Sequence, residues 1–361
     1  MRIMIDLDGT ICELRKHNQD YSEVKVNPGA LAKLNALKDA GHYIILQTAR
    51  HMKTCDGVQG KVMAKIGKKT LDWLQMNNIP YDEIYFGKPY AEAYIDDLAY
   101  TFVDWKSIDH SYFDNKQYNI LIPIAGLGSR FTKAGIDIPK PIIEIDGRYM
   151  IEWAMDSFDF FKGILNKKII FVLQKEHDEK FSLGKKLKDL YGSSIELILL
   201  DNPTRGQAET CLAAKPFIHN LNPLFIYNCD SYTSSNILEQ ILKLNPDGAL
   251  TTFKSSDPRY SYVGLDKYGY VCETAEKKVI SEYATTGMYY FKRGCDFVRA
   301  AERMIEDGSV HSGEFYVAPL YNTLISSGKK IINVPVKEHE IFGTPEEMKA
   351  FSQSVRKKNS I

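Results

Sequence analysis

Short apolar runs of strand length alternate with stretches of helical periodicity along almost the whole chain, and few architectures accommodate that alternation. Strands separated by helices pair in parallel, because antiparallel neighbours need only a tight turn between them. The pattern predicts an α/β protein built on open, mostly parallel sheets with helices on both faces. Residues 3–7 read as a strand ending in carboxylates. Asn27-Pro28 supplies an N-cap and a first-turn proline for a helix with Leu31, Leu34 and Leu37 on one face, and Gly41 can end it. Residues 43–47 form the next strand. Met63, Ile66, Leu71 and Leu74 mark a second helix, and 84–86 and 93–95 read as two further strands.

Periodicity then lapses over 105–117 (WKSIDHSYFDNKQ) and restarts with a strand at 118–124 that runs into glycines. That restart predicts two domains, 1–110 and 118–361, joined by a polar linker, as the length of 361 residues also suggests. With 44% hydrophobic residues, each half can bury a core. Lys+Arg and Asp+Glu balance at 46 each, so no charge excess points to nucleic acid or an anionic membrane as partner. The six cysteines, at 12, 55, 211, 229, 272 and 295, form no CxxC pair and read as reduced thiols. No apolar signal core opens the chain, and no apolar run approaches the roughly 18–20 residues of a membrane span. A cytoplasmic protein is expected.

Asp6-Leu7-Asp8-Gly9-Thr10 follows the first strand. Residues two apart in an extended segment share a side, so Asp6 and Asp8 face one way at the strand tip. Two carboxylates so close call for a hard cation such as Mg2+. Thr48 ends the second strand with a hydroxyl suited to a phosphate oxygen. Lys88 stands just past the third strand, and Asp96-Asp97 ends the fourth. Each has an ordinary reading as a turn acid, helix cap or surface lysine; their order, all at strand ends, favours one site.

That order (DxDGT, Thr, Lys, DD) resembles the haloacid dehalogenase phosphatase superfamily over residues 1 to about 105. The wording DLDGT, TAR, IPYDEI, FGKPY and YIDD is similar to small phosphatases of capsule and lipopolysaccharide synthesis. The resemblance implies a HAD-like Rossmannoid fold with Asp6 as nucleophile and Asp8 as general acid/base. Thr48 and Lys88 would hold the phosphoryl group. Asp96, with Asp97 near it, would hold Mg2+ together with Asp6 and the Asp8 carbonyl. Too few residues are present for a full cap domain, so Arg50 or Lys53 is a candidate substrate contact.

The second restart carries Ala125-Gly126-Leu127-Gly128-Ser129-Arg130, where glycines let backbone N–H groups approach a triphosphate and Arg130 offers a planar donor fork. The third glycine of a dinucleotide fingerprint is missing. Lys140 follows, stiffened between Pro139 and Pro141. GxGxR…PKP resembles the nucleotide-sugar pyrophosphorylase family, whose GT-A-like fold is then implied for about 118–350. By that resemblance Ala125, Gly126, Gly128 and Gln207 contact the nucleotide, Arg130 and Lys140 are catalytic, and Asp230 binds Mg2+. Glu276 and Lys277 hold the sugar phosphate, with Lys278 as the alternative register. Gly313-Glu314-Phe315-Tyr316 and Gly343-Thr344-Pro345-Glu346-Glu347 complete the set. Many members carry an aspartate two residues before the GTP segment; here Ile341 stands there, so either Glu340 reaches in or the metal leans on Asp230 and the triphosphate.

The implied whole is a bifunctional Mg2+-dependent phosphatase and nucleotidyltransferase that activates a sugar or alditol phosphate with an NTP, in a family whose members are often homo-oligomers. One alternative is a CTP-dependent enzyme for phosphocholine or glycerol phosphate, suggested by Tyr260, Tyr262, Tyr268, Tyr270, Tyr289 and Tyr290. Another makes one domain a binding scaffold only.

Overall fold

The structure, a computed structural model, describes residues 2–91, 102–106, 117–161, 166–310 and 313–358. The described residues fall into two compact units that divide between 106 and 117. No helix among them is long and apolar enough to cross a membrane.

In the first unit, strands β1 (Arg2–Asp6), β2 (Tyr43–Thr48) and β3 (Glu83–Phe86) form a parallel sheet in that order. Register sets Asp6 beside Gln47 and Thr48 beside Phe86, which aligns the carboxyl ends of all three strands. The helix Ala30–Asp39 buries Ala30, Leu34 and Leu37 on one face. It starts at Ala30 with Gly29 at its N-cap, later than Asn27 and Pro28 suggest, and the Asn27 side-chain Nδ2 donates to the Thr10 carbonyl at 2.8 Å. The Trp105 indole donates to the same carbonyl at 2.8 Å and is buried. The stretch read as linker thus begins with a core residue of the first unit. Trp73 closes the core on the other helix, its indole N–H on the Val24 carbonyl at 2.8 Å. Residues 93–95, read as a strand, lie outside the described residues.

The second unit contains β4 (Tyr118–Pro123), the hairpin β5 (Glu144–Ile145) and β6 (Arg148–Tyr149), β7 (Lys167–Gln174), β8 (Glu196–Leu200), β9 (Leu224–Ile226) and β10 (Ser231–Ser234). It continues with β11 (Gly248–Lys254), β12 (Ser261–Leu265), β13 (Val271–Glu276), β14 (Tyr283–Phe291), β15 (Ile331–Pro335) and β16 (Glu338–Ile341). The main sheet runs β13-β12-β14-β9-β4-β7-β8, with β11 against β14 and β15 beyond β11. The strands β8, β7, β4 and β9 are parallel, but β14 is antiparallel to β9, β11 and β12, and β12 to β13. The sheet is therefore mixed, where the sequence reading expected a mostly parallel one. The reason is local: β11 to β14 follow one another with no helix between them, and short connections cannot make parallel crossovers.

The main core joins Leu121, Ile170, Val172, Phe291, Phe297 and Tyr321, all buried. Each fully buried side chain of this size contributes about 1.5–3 kcal/mol of apolar burial. The strand β4 is buried on both faces, as a central strand covered on both sides is, although it carries one polar side chain, Asn119.

Candidate active sites

At the tip of β1 the chain turns sharply, with the Gly9 amide on the Cys12 carbonyl at 2.7 Å and the Ile11 amide on the Leu7 carbonyl at 3.0 Å. This turn presents Asp6 and Asp8 within charge range of each other. Lys88 Nζ lies 3.2 Å from Asp6 Oδ2. Burial raises the Asp6 carboxyl above its ordinary value, and Lys88 offsets only part of that. Asp8 accepts from Thr48 Oγ1 at 3.2 Å and from Arg50 Nη2 at 2.8 Å and Nε at 3.0 Å. A planar guanidinium matches a carboxylate in this two-point fashion. Thr48 also accepts from the Arg50 amide at 3.1 Å, so hydroxyl, arginine and Asp8 form one unit.

The Arg50 side chain is 0% exposed, beneath Asp8 at 22%. Its guanidinium packs over the Tyr21 ring at 4.4 Å and reaches Thr70 Oγ1 at 3.3 Å. The sequence offered Arg50 or Lys53 as a substrate contact; Arg50 is buried and holds Asp8. Burial pushes the Cys12 thiol, beside the same pair, up to about 12, so it stays protonated. Asp96 and Asp97 lie outside the described residues.

The second cluster gathers at the carboxyl ends of β4 and β9. Past β4 the Ala125 carbonyl accepts from the Gln174 amide, at the end of β7, at 3.1 Å, which anchors the glycine loop. A methyl at Gly126 would meet nothing within 4 Å, so the backbone there is open to a ligand. Gly128 leads into the short helix Ser129–Lys133, which carries Arg130. Lys140, in the turn Lys140–Ile142, donates from Nζ to Asp230 Oδ2. Burial pushes this ammonium down, but the charges of Asp230 and Cys229 and the hydrogen bond to Asp230 together outweigh it and the net shift is upward. Burial likewise opposes ionisation of Asp230, but Lys140 holds its carboxyl below the ordinary value. Arg130 is close enough for its charge to be felt at Lys140, Asp230 and Tyr316.

Gln207 Nε2 donates to Asn228 Oδ1 at 2.5 Å. Asn228 lies so close over β14 that a Cβ at Gly287 (φ 86°) would sit 2.4 Å from its Nδ2, which excludes any side chain there. Gly206 (φ 145°) is similarly constrained by the Phe315 backbone nitrogen, 2.4 Å from a built Cβ. Phe315 N–H donates to the Arg205 carbonyl at 3.0 Å and the Ala208 N–H to the Phe315 carbonyl at 2.9 Å.

Glu276 ends β13 and accepts from the Ser261 hydroxyl, and burial raises its carboxyl. Lys277 takes a left-handed backbone (φ 52°), which turns its ammonium onto the Tyr316 oxygen at 2.6 Å. Tyr316 was named in the sequence only as part of a segment; its pairing with Lys277 depends on the fold bringing 277 and 316 together. Burial, then Glu314 and Glu276, raises the Tyr316 phenol. Ile341 stands opposite Ser231 and Glu340 opposite Tyr232 in the β10–β16 ladder. Of the tyrosines that suggested a choline-type pocket, Tyr262, Tyr289 and Tyr290 are buried in the sheet.

Among solved structures, the chain is similar to a nucleoside-diphosphate-sugar pyrophosphorylase from Vibrio cholerae RC9, with 27% identity and a TM-score of 0.57. That likeness covers 65% of this chain and 99% of the other. A putative glucose-1-phosphate thymidylyltransferase from Bacillus anthracis shares the fold at 19% identity and a TM-score of 0.54, covering 66% of this chain and 95% of that one. A mannose-1-phosphate guanyltransferase of Aspergillus oryzae is 26% identical over 154 residues, which is 42% of this chain and 40% of that protein. The chain thus spans well under half the length of the curated relative it matches. The model of the family described as nucleotidyl transferase matches residues 120–318, more than half of the sequence. With the mixed sheet and the loops that carry Arg130, Lys140 and Asp230, that match places the chain in the nucleotidyl transferase family.

Proposed function

We propose that the second unit is an NTP:sugar-phosphate nucleotidyltransferase and the first a phosphatase acting on the same class of substrate, so that the chain makes a nucleotide-activated sugar or alditol for a surface polysaccharide. The observation that carries the transferase reading is the Lys140–Asp230 pair within charge range of Arg130, with Lys277 and Tyr316 near the same arginine. An oxygen of the acceptor phosphate attacks the α-phosphorus, the bond to the β-phosphate oxygen breaks, and pyrophosphate leaves with the electron pair. The protein does little covalent work, so positioning and charge stabilisation carry the rate. Arg130 and Lys140 balance charge on the departing pyrophosphate, and the backbone at Ala125, Gly126 and Gly128 borders the triphosphate. Gln207 contacts the nucleobase, Glu276 a sugar hydroxyl, and Lys277 the acceptor phosphate.

In the first unit Asp6 is proposed as the nucleophile that takes the phosphoryl group, with Lys88 balancing its charge. Asp8, oriented by Arg50 and Thr48, is placed to pass a proton to the leaving oxygen and then to take one from water. The donor chemistry in both units fits a hard cation: Asp6 and Asp230 are carboxylates that each already attract a lysine ammonium. Mg2+ bound by Asp230, or by Asp6 and Asp8 with Asp96 and Asp97 as further candidates, supplies positive charge at the phosphate oxygens.

The test incubates the full chain with Mg2+, each common NTP and a panel of sugar and alditol phosphates while following pyrophosphate. Release with one pair names the substrates. Release only with CTP and phosphocholine or glycerol phosphate replaces the sugar reading with the non-sugar one. No pyrophosphate with any pair removes the transferase activity.

A further inference from the structure

The β10–β16 ladder sets an aliphatic side chain, Ile341, opposite Ser231, the residue that follows Asp230. Just beyond it the chain passes close to Asp230, with the Phe342 amide on the Asp230 carbonyl at 3.0 Å. A methyl built on Gly343 would lie 2.9 Å from Asp230 Oδ2 and 3.5 Å from Glu347 Oε2. Two carboxylates therefore border one gap, and the gap exists because residue 343 has no side chain. Glu347 is delivered there by the first turn of the helix Pro345–Lys358, with its amide on Thr344 Oγ1 at 3.2 Å.

Each acid is balanced by a cation from a different loop: Lys140 on Asp230, and Arg259 on Glu347 at 3.2 Å. Neighbouring carboxylates repel unless positive charge is supplied, and here it comes from both sides. Among the described residues no three ligating side chains converge. Mg2+ does not need three, since one or two carboxylates with phosphate oxygens and waters complete its shell.

We propose that Glu347 is the second carboxylate of the cation position in this unit, in the role that Ile341 cannot fill, and that Gly343 keeps the position open. The inference rests on the reading of Asp230 as the first ligand. Mn2+ binding to an Asp6→Asn chain, read as loss of the free EPR signal beyond that caused by each common NTP alone, tests it. Glu347→Gln is expected to weaken Mn2+ binding by at least about tenfold, the scale of losing a group that supports a metal. Gly343→Ala is expected to weaken it as well. Arg259→Ala breaks the ion pair but leaves the carboxylate, and should bind Mn2+ as tightly as the parent or more so. Unchanged affinity in Glu347→Gln, with affinity lost in Asp230→Asn, overturns the role of Glu347 and leaves Asp230 in place. Equal losses in Glu347→Gln and Arg259→Ala make the ion pair structural and overturn it too. Unchanged affinity in Asp230→Asn removes the metal from this unit and the inference with it.

Discussion

Arg50 holds Asp8 through two nitrogens while lying on the Tyr21 ring, a geometry that lysine cannot reproduce. Its neighbours along the chain, Thr48 and Ala49, give no hint of this; Tyr21 and Thr70 are distant in sequence, and only the fold assembles them. Asp6, Asp8, Thr48 and Lys88 were easier to read, because strand ends are marked in sequence by where an apolar run stops. The same contrast holds for Lys277 and Tyr316, which are 39 positions apart. A hydrogen bond to a charged group contributes about 1.5–3 kcal/mol. If Tyr316 orients the Lys277 ammonium towards the acceptor phosphate, Tyr316→Phe should raise KM for the acceptor about tenfold and change kcat much less. Steady-state kinetics at saturating NTP reads the split, and an unchanged KM would sink the positioning role.

The ribbon of β10 and β16 joins the strand following Asp230 to the segment leading to Gly343, so its integrity sets the geometry of the second cluster. A buried chain of polar groups holds it. Tyr227 donates to the Ser231 carbonyl at 2.9 Å, Ser157 donates to Tyr227 at 3.2 Å, and Thr233 shares a 2.9 Å contact with each of Tyr227 and His339 Nδ1. Burial lowers His339 to about 4, against smaller opposing effects from Tyr232 and Asp230. The unfolded chain, with an ordinary histidine near 6.5, therefore binds more protons than the folded one between those values. Stability should fall as pH drops from about 6.5 towards 4, by a few kcal/mol at most at roughly 1.36 kcal/mol per unit. Thermal melts across that range should show the decline, and His339→Asn, which keeps a polar partner for Thr233, should flatten it. The ribbon was invisible in the sequence, where residues 338–341 alternate charge with few apolar positions. The antiparallel half of the main sheet had a usable signal, since residues 248–291 lack any helical stretch long enough for a crossover.

At the level of the whole molecule, two units with separate cores carry two chemically distinct clusters, one around Asp6 and one around Asp230. If each catalyses its own reaction, Asp6→Asn should abolish phosphate release and spare pyrophosphate release, and Asp230→Asn should do the reverse. Loss of both activities in either variant would contradict separate catalytic centres. In the sequence, periodicity stops near 105 and resumes at 118, but Trp105 belongs to the first core, and a lone tryptophan in a polar stretch does not announce its packing. One join inside the second unit has a consequence for how ligands influence one another. The strand of chain before Gln207 and the one before Tyr316 are laced together by main-chain hydrogen bonds at Arg205, Ala208 and Phe315, with Gly206 pressed against the latter. If a nucleobase at Gln207 pulls on the first, the second is tied to it, and whatever factor the nucleotide then adds to acceptor affinity the acceptor returns in equal measure.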